Sequence, residues 1–182
     1  MHVELITPAA EPAVSLATAK NFLRVEHSAD DDLITSLVTA AVGWVEGHTN
    51  LALVSSTWKQ YETNFQEFEI YKWPVTSISS ITYLDNDGAR QTLSSDVYEL
   101  GKGLSGVRLN YDQSWPSYRS DEQAIEITFV AGYEDAASVP AQIVSAILVH
   151  VGWAYETRRA QEKFPEQVLR SLLNNYCVRY AF

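Results

Sequence analysis

The run VPAQIVSAILVHVGWAYETRR, residues 139–159, constrains this chain more than any other stretch. It follows a strand-like segment and a short acidic loop, and Pro140 stands at a helix-start position. Wound as a helix, it has almost no water-facing side. Ile143, Ile147 and Ala154 fall on one side, Val144, Leu148, Val151 and Tyr155 on the next, and Ala146, Val149 and Trp153 on much of the remainder. A helix apolar nearly all round has to be buried nearly all round. Gln142, Ser145, His150 and Gly152 interrupt it, and its most hydrophobic stretch, Val139 to Tyr155, is shorter than the roughly 20 apolar residues of a membrane span. It is therefore expected inside a fold and beside a subunit boundary. Covering one large side chain stabilises by about 1.5–3 kcal/mol, and a bare Val149–Trp153 patch would mark a protein contact. Glu156, Arg158, Arg159, Glu162 and Lys163 then form a mixed-charge rim.

The rest of the chain supplies the partners for that helix. Ser15 is placed to cap a short helix from Leu16 to about Leu23. Ser28 is expected to cap a second, running to about His48, with Asp30, Asp31 and Asp32 at its positive end. Leu33, Ile34, Leu37, Val38, Ala41, Val42 and Val45 form its wide apolar stripe. The opposite face, Thr35, Ser36, Thr39, Gly43 and Glu46, is small and weakly polar; it fits either solvent or the close approach of a neighbouring chain, with Thr39 and Gly43 at its centre. Pro165 opens a last helix to about Leu173, and an aromatic tail, 176–182, ends the chain.

Between the helical ends the pattern changes to short strands. Residues 57–65, 69–73, 77–84, 90–93, 97–100, 107–111 and 124–130 read as strands, rich in Thr, Tyr, Phe, Trp and Ile. Asp85-Asn86-Asp87-Gly88 reads as a hairpin turn. Residues 1–14 read as an extended arm. Strands grouped between helices predict an α+β fold with antiparallel pairing. The expectation is a single domain, 1–182. Its helical bundle core comes from 15–50 and 140–175, with an antiparallel β block, 54–133, inserted between them.

Composition removes several function classes. A 46% hydrophobic fraction and 12% aromatics belong to a folded chain. A net charge of −10 and a pI near 4.8 argue against a free-standing nucleic-acid binder and against an anionic membrane surface. The lone Cys177 permits no internal disulfide and reads as a buried or interfacial thiol. MHVELITPAAEPAVS has no signal-peptide pattern, so the protein is expected to be soluble and intracellular when made.

Chemistry is hard to find. Three consecutive aspartates on a helix point about 100° apart and converge poorly on one ion. The 85–88 turn is not a calcium loop: its Gly is fourth, and the twelfth residue is Asp96 rather than a bidentate Glu. His2, His27, His48 and His150 lack metal-ligand spacing. Gly103-Leu104-Ser105-Gly106 is no nucleophile elbow, and no phosphate loop is present. No catalytic residue, cofactor site or metal site is assigned.

The order of short motifs resembles the phage head-tail connector family, the gp6-like adaptors and more closely the phiE125 gp8-like subgroup. The matching pieces are Val14-Ser15-Leu16-Ala17-x-Ala19-Lys20-x-Phe22-Leu23-Arg24-Val25, Asp31-Asp32-Leu33, and Ala40-Ala41 to Val45-Glu46-Gly47-x-Thr49-Asn50. Then come Ser56-x-Trp58, Trp73-Pro74-Val75-x-Ser77-Ile78, Tyr83-Leu84-Asp85-x-Asp87-Gly88, Ala131-Gly132-Tyr133 leading to Val139-Pro140, and Ala146-Ile147 to Tyr155-Glu156-x-Arg158. The resemblance spans most of residues 13–175. It implies a homo-oligomeric ring of about twelve copies under the portal protein in a virion neck, assembled in the host cytoplasm. Such a ring extends the DNA channel, passes DNA without sequence-specific binding, and docks a stopper or tail-completion protein. It implies no active site and no membrane. Val149, Trp153, Thr39 and Gly43 are the expected subunit-interface residues, and Tyr176, Tyr180 and Phe182 the expected portal contacts. Two other readings fit the residues: a small intracellular enzyme or ligand-binding domain, and a different neck or tail-completion protein.

Overall fold

The computed structural model describes residues 2–66, 68–101, 106–157 and 164–177. Among these residues thirteen elements follow one another: β1 (His2–Thr7), α1 (Leu16–Leu23), α2 (Asp31–Thr49), β2 (Ser56–Glu62), β3 (Phe68–Glu69), β4 (Val75–Leu84), β5 (Arg90–Thr92), β6 (Tyr98–Leu100), β7 (Gly106–Leu109), β8 (Ile125–Ala131), a 3-10 turn (Ala136–Ser138), α3 (Ala141–Glu156) and α4 (Glu166–Leu173). This is the expected α+β class, with every strand pair antiparallel. The chain divides into two compact units. One holds Met1–Ala10 and Ser55–Gly132; the other holds Glu11–Val54 and the segment from Tyr133.

In the helical unit, α3 packs on α2, α4 and α1. Its buried residues are Ile143, Ala146, Ile147, Val151 and Gly152, and α2 contributes Ile34, Val38, Ala41 and Val45. Ser15 caps α1 as expected, its Oγ accepting from Thr18 N at 3.1 Å. Arg24 and Asn50 end α1 and α2 in the left-handed region, φ 56° and 60°. The Lys20 ammonium ties the two helices, donating to Asp31 Oδ1 at 2.6 Å and to His27 O at 2.8 Å. Gly152 leaves a notch: a Cβ there would lie 3.0 Å from the Phe22 ring.

One helix start is corrected. Asp30, not Ser28, is the cap residue of α2, and it makes no side-chain cap bond. Ser28 instead forms the turn before it, its carbonyl accepting from Asp31 N. The Asp30 carboxylate is taken by Tyr155, whose hydroxyl donates to Oδ2 at 2.5 Å.

In the β unit a five-stranded sheet runs β1-β2-β8-β4-β5, and a three-stranded sheet runs β3-β7-β6. The central β8 alternates strictly: Ile125, Ile127, Phe129 and Ala131 are buried, while Glu126, Thr128 and Val130 are half-buried on the other face. On that other face Glu126 bridges strands, accepting from Lys59 at 2.9 Å and Arg90 at 3.0 Å. The predicted hairpin closes as expected: Asp85 Oδ1 accepts from Asp87 N and Ala89 N, and Gly88 takes φ 82°. The strand expected at 69–73 is corrected to Phe68–Glu69, because Gln60 captures the chain at once. Its buried carboxamide donates to Glu69 O at 2.8 Å and accepts from Tyr71 N at 3.1 Å. The N-terminal arm is also corrected: residues 2–7 form a strand along β2.

Candidate assembly surfaces

Of the face expected to be small and weakly polar, Thr35, Ser36, Thr39 and Gly43 are exposed, with Ala40 and Gly47 exposed beside them. Glu46 is half-buried instead, because its carboxylate accepts from Leu53 N at 2.8 Å. The hydroxyls do not face solvent unpartnered. Thr35 Oγ1 donates to Asp31 O (2.8 Å), Ser36 Oγ to Asp32 O (2.9 Å) and Thr39 Oγ1 to Thr35 O (3.0 Å). Each spends its proton on the carbonyl one turn back. A Cβ built on Gly43 or Gly47 would meet nothing within 4 Å. The result is a shallow helix surface that another backbone can approach closely without stranding a donor.

The C-terminal half of α3 is more enclosed than its composition suggests. Along the whole of α3 the exposed residues are Ala141, Gln142, Ser145 and Glu156, whereas Val149 and Trp153 are half-buried. The ring of Phe164 explains the difference. It packs edge-on against Trp153 (5.0 Å between centroids), His150 (4.8 Å) and Trp44 (5.4 Å). Trp44 in turn stacks on His48 at 5.3 Å and 11°. Sequence periodicity could not place Phe164, which lies outside both α3 and α4. His150 Nδ1 and Trp153 Nε1 are buried with no hydrogen-bond partner among the described residues.

Burial holds the His150 imidazole below its ordinary range. Burial also lowers His48, helped by the Arg170 guanidinium and opposed by Glu166. Both groups therefore fold as neutral rings, and the unfolded chain binds more protons than the folded one just below pH 6.5. Their contribution to stability is complete above that value and is lost as pH falls through it toward the lowered native values. The thermal midpoint is expected to drop between pH 7.5 and pH 5, and His150→Phe to reduce that drop. An H150F drop equal to the parent's would remove His150 from the account.

The tail is only partly described. Tyr176 is half-buried, its N–H donating to Leu173 O at 2.8 Å. Tyr180 and Phe182 lie outside the described residues, as do Arg158, Arg159, Glu162 and Lys163 of the expected charged rim. Cys177 is half-buried, its thiol directed at Leu173 O (3.5 Å) and His48 O (3.9 Å). Among the described residues no three His, Cys, Asp or Glu side chains come together in a metal-binding group, and no helix is long and apolar enough to cross a membrane.

This α+β architecture is one found in virion necks. A chain in the virion of a native gene transfer agent particle has the same fold, with a TM-score of 0.83 at 19% identity, covering 100% of this chain and 98% of that one. Chains in the neck of an empty gene transfer agent particle, computed with C6 symmetry, and of a native one, computed with C12 symmetry, give TM-scores of 0.83 and 0.81 at 18% and 17% identity. Each covers 100% of this chain and 98% of its own. Residues 13–83 match the family model described as phage gp6-like head-tail connector protein. No curated protein matches the chain.

Proposed function

We propose that the protein is a non-enzymatic head–tail adaptor. Copies close into a ring of about twelve beneath a portal protein, extend the DNA channel and dock a stopper or tail-completion protein in the neck of a phage or phage-like particle assembled in the host cytoplasm. The observation that carries this reading is the end-to-end fold match to gene transfer agent neck chains, together with the connector-family stretch at 13–83. The C12 symmetry of one such neck supports the ring size. Cyclic assembly needs two different surfaces per copy that fit each other. The open α2 face around Thr39 and Gly43 supplies one, and the half-buried Val149 and Trp153 lie at another. The C-terminal tail, with Tyr176, Tyr180 and Phe182, is assigned to the portal. A net charge of −10 per copy suits a channel that does not grip phosphate, so DNA passes without sequence-specific contacts.

Native mass measurement and negative-stain imaging test the reading, with the protein alone and with its portal protein. Rings with a central hole are expected. Gly43→Trp is expected to abolish them while leaving the thermal midpoint unchanged, because its Cβ enters open space. A chain that stays monomeric with portal present overturns the adaptor reading. Normal rings from G43W would instead remove α2 from the interface.

A further inference from the structure

Among the described residues the five-stranded sheet has backbone left unpaired by any strand at both edges, and the two edges fit each other. β1 borders the sheet on one side. Five of its six residues are exposed, including Leu5 at 46% and Ile6 at 45%. At the other side β4 is ten residues long, yet β5 pairs only with Thr82, Tyr83 and Leu84, and the Leu93 N–H takes the Ile81 carbonyl. The stretch Val75–Ser80 is therefore bordered on that side by no described strand. It has room for one strand of six residues, which is the length of β1.

Polarity and direction agree as well. Leu5 pairs with Trp58, two residues from the buried Gln60, so Leu5 lies on the inner face of the sheet. Val75 and Ile78 pair with Ala131 and Phe129, both buried, so they lie on the inner face too and are half-buried at its margin. Trp73, 37% exposed, continues this apolar margin. Between them the edge shows Thr76, Ser77 and Ser79, all exposed. Val75–Ser80 itself holds no lysine or proline of the kind that keeps free edges apart, Pro74 standing just before it, and two register shifts interrupt its ladder with β8. The antiparallel ladder makes β1, β8 and β5 run one way and β2 and β4 the other. Copies related by rotation about an axis along the strands thus bring β1 of one against β4 of the next in antiparallel sense.

We propose that neighbouring copies join edge to edge, β1 of one pairing with Val75–Ser80 of the next, so that the sheets run on from copy to copy around the assembly. Leu5 of one copy then packs beside Ile78 of its neighbour, and the backbone groups on both open edges find partners. The inference rests on the ring reading above and adds to its helical surfaces a second contact between neighbouring copies.

Cysteine cross-linking separates the two. In a Cys177→Ser background, Leu5→Cys combined with Ile78→Cys, treated with a short bifunctional thiol reagent after assembly, is expected to give a ladder of covalent oligomers. Either cysteine alone is expected to give none. Rings of full mass that yield no ladder, with Ser77→Cys and Ser79→Cys also paired against Leu5→Cys, overturn the edge contact and leave the ring standing. Absence of any ring with portal protein supplied overturns both.

Discussion

Ile147→Ala is expected to lower the free energy of unfolding by about 2–5 kcal/mol, the range for emptying a fully packed aliphatic site. Ile147 has no exposed surface, and it stands on the face of α3 that also buries Ile143, Ala146 and Val151. Its surroundings are rigid elements on several sides, since α3 packs against α1, α2 and α4. Such a site collapses poorly, so the cost of the cavity adds to the lost transfer energy of the removed carbons. Urea titration followed by tryptophan fluorescence reads the change, with Trp44 and Trp153 in the same unit as reporters. Val149→Ala makes the contrast, because Val149 is only half-buried and its loss is expected to cost less than half as much. Equal costs at the two positions would mean that the single copy already encloses Val149.

Gln60→Leu is the second large change, and its cause is polar. Gln60 has no exposed surface, and its carboxamide holds three partners: Glu62 Oε1 at 2.7 Å, Glu69 O at 2.8 Å and Tyr71 N at 3.1 Å. Leucine has nearly the same volume and no hydrogen-bonding group. Roughly 1–3 kcal/mol is lost for each buried group left unpaired, and the turn after Glu69 loses the two bonds that fix it. A fall in midpoint and faster proteolysis near residues 66–73 are expected together. A Q60L variant as stable as the parent would show that the 69–71 backbone finds other partners.

The sequence yielded the helices more readily than the strands, for reasons visible in particular residues. Ser15 and the 3.6-residue stripes of α1 and α2 set those helices to within a residue or two. Ser28 misled because serine caps so often, whereas here the helix begins at Asp31 and the preceding aspartate binds Tyr155 instead. β1 was missed because HVELIT follows no alternation that a core demands: its side chains are nearly all exposed, and its pairing is a backbone matter. The 69–73 strand was overextended because nothing in QEFEIYKW announces that a distant Gln60 will take its amides. Among the candidate surfaces, the small outer face of α2 was legible from spacing alone. The enclosure of Trp153 was not, since it depends on Phe164, eleven residues further along and outside any periodic element. Nor could periodicity foresee that Tyr133 would be pushed up by burial and by nearby Tyr176, since that needs the fold.

The back-bonded hydroxyls of α2 bear on how such a part survives before it is installed. A bare leucine stripe would make loose copies stick to one another indiscriminately, and a lysine–glutamate stripe would have to be stripped of strongly held water at every joint. Thr35, Ser36 and Thr39 do neither, because their protons already belong to their own helix. If copies join through this face, as proposed above, loose copies would remain dispersed at high concentration and yet dock with little dehydration cost, leaving geometry rather than greasiness to decide when the part goes into place.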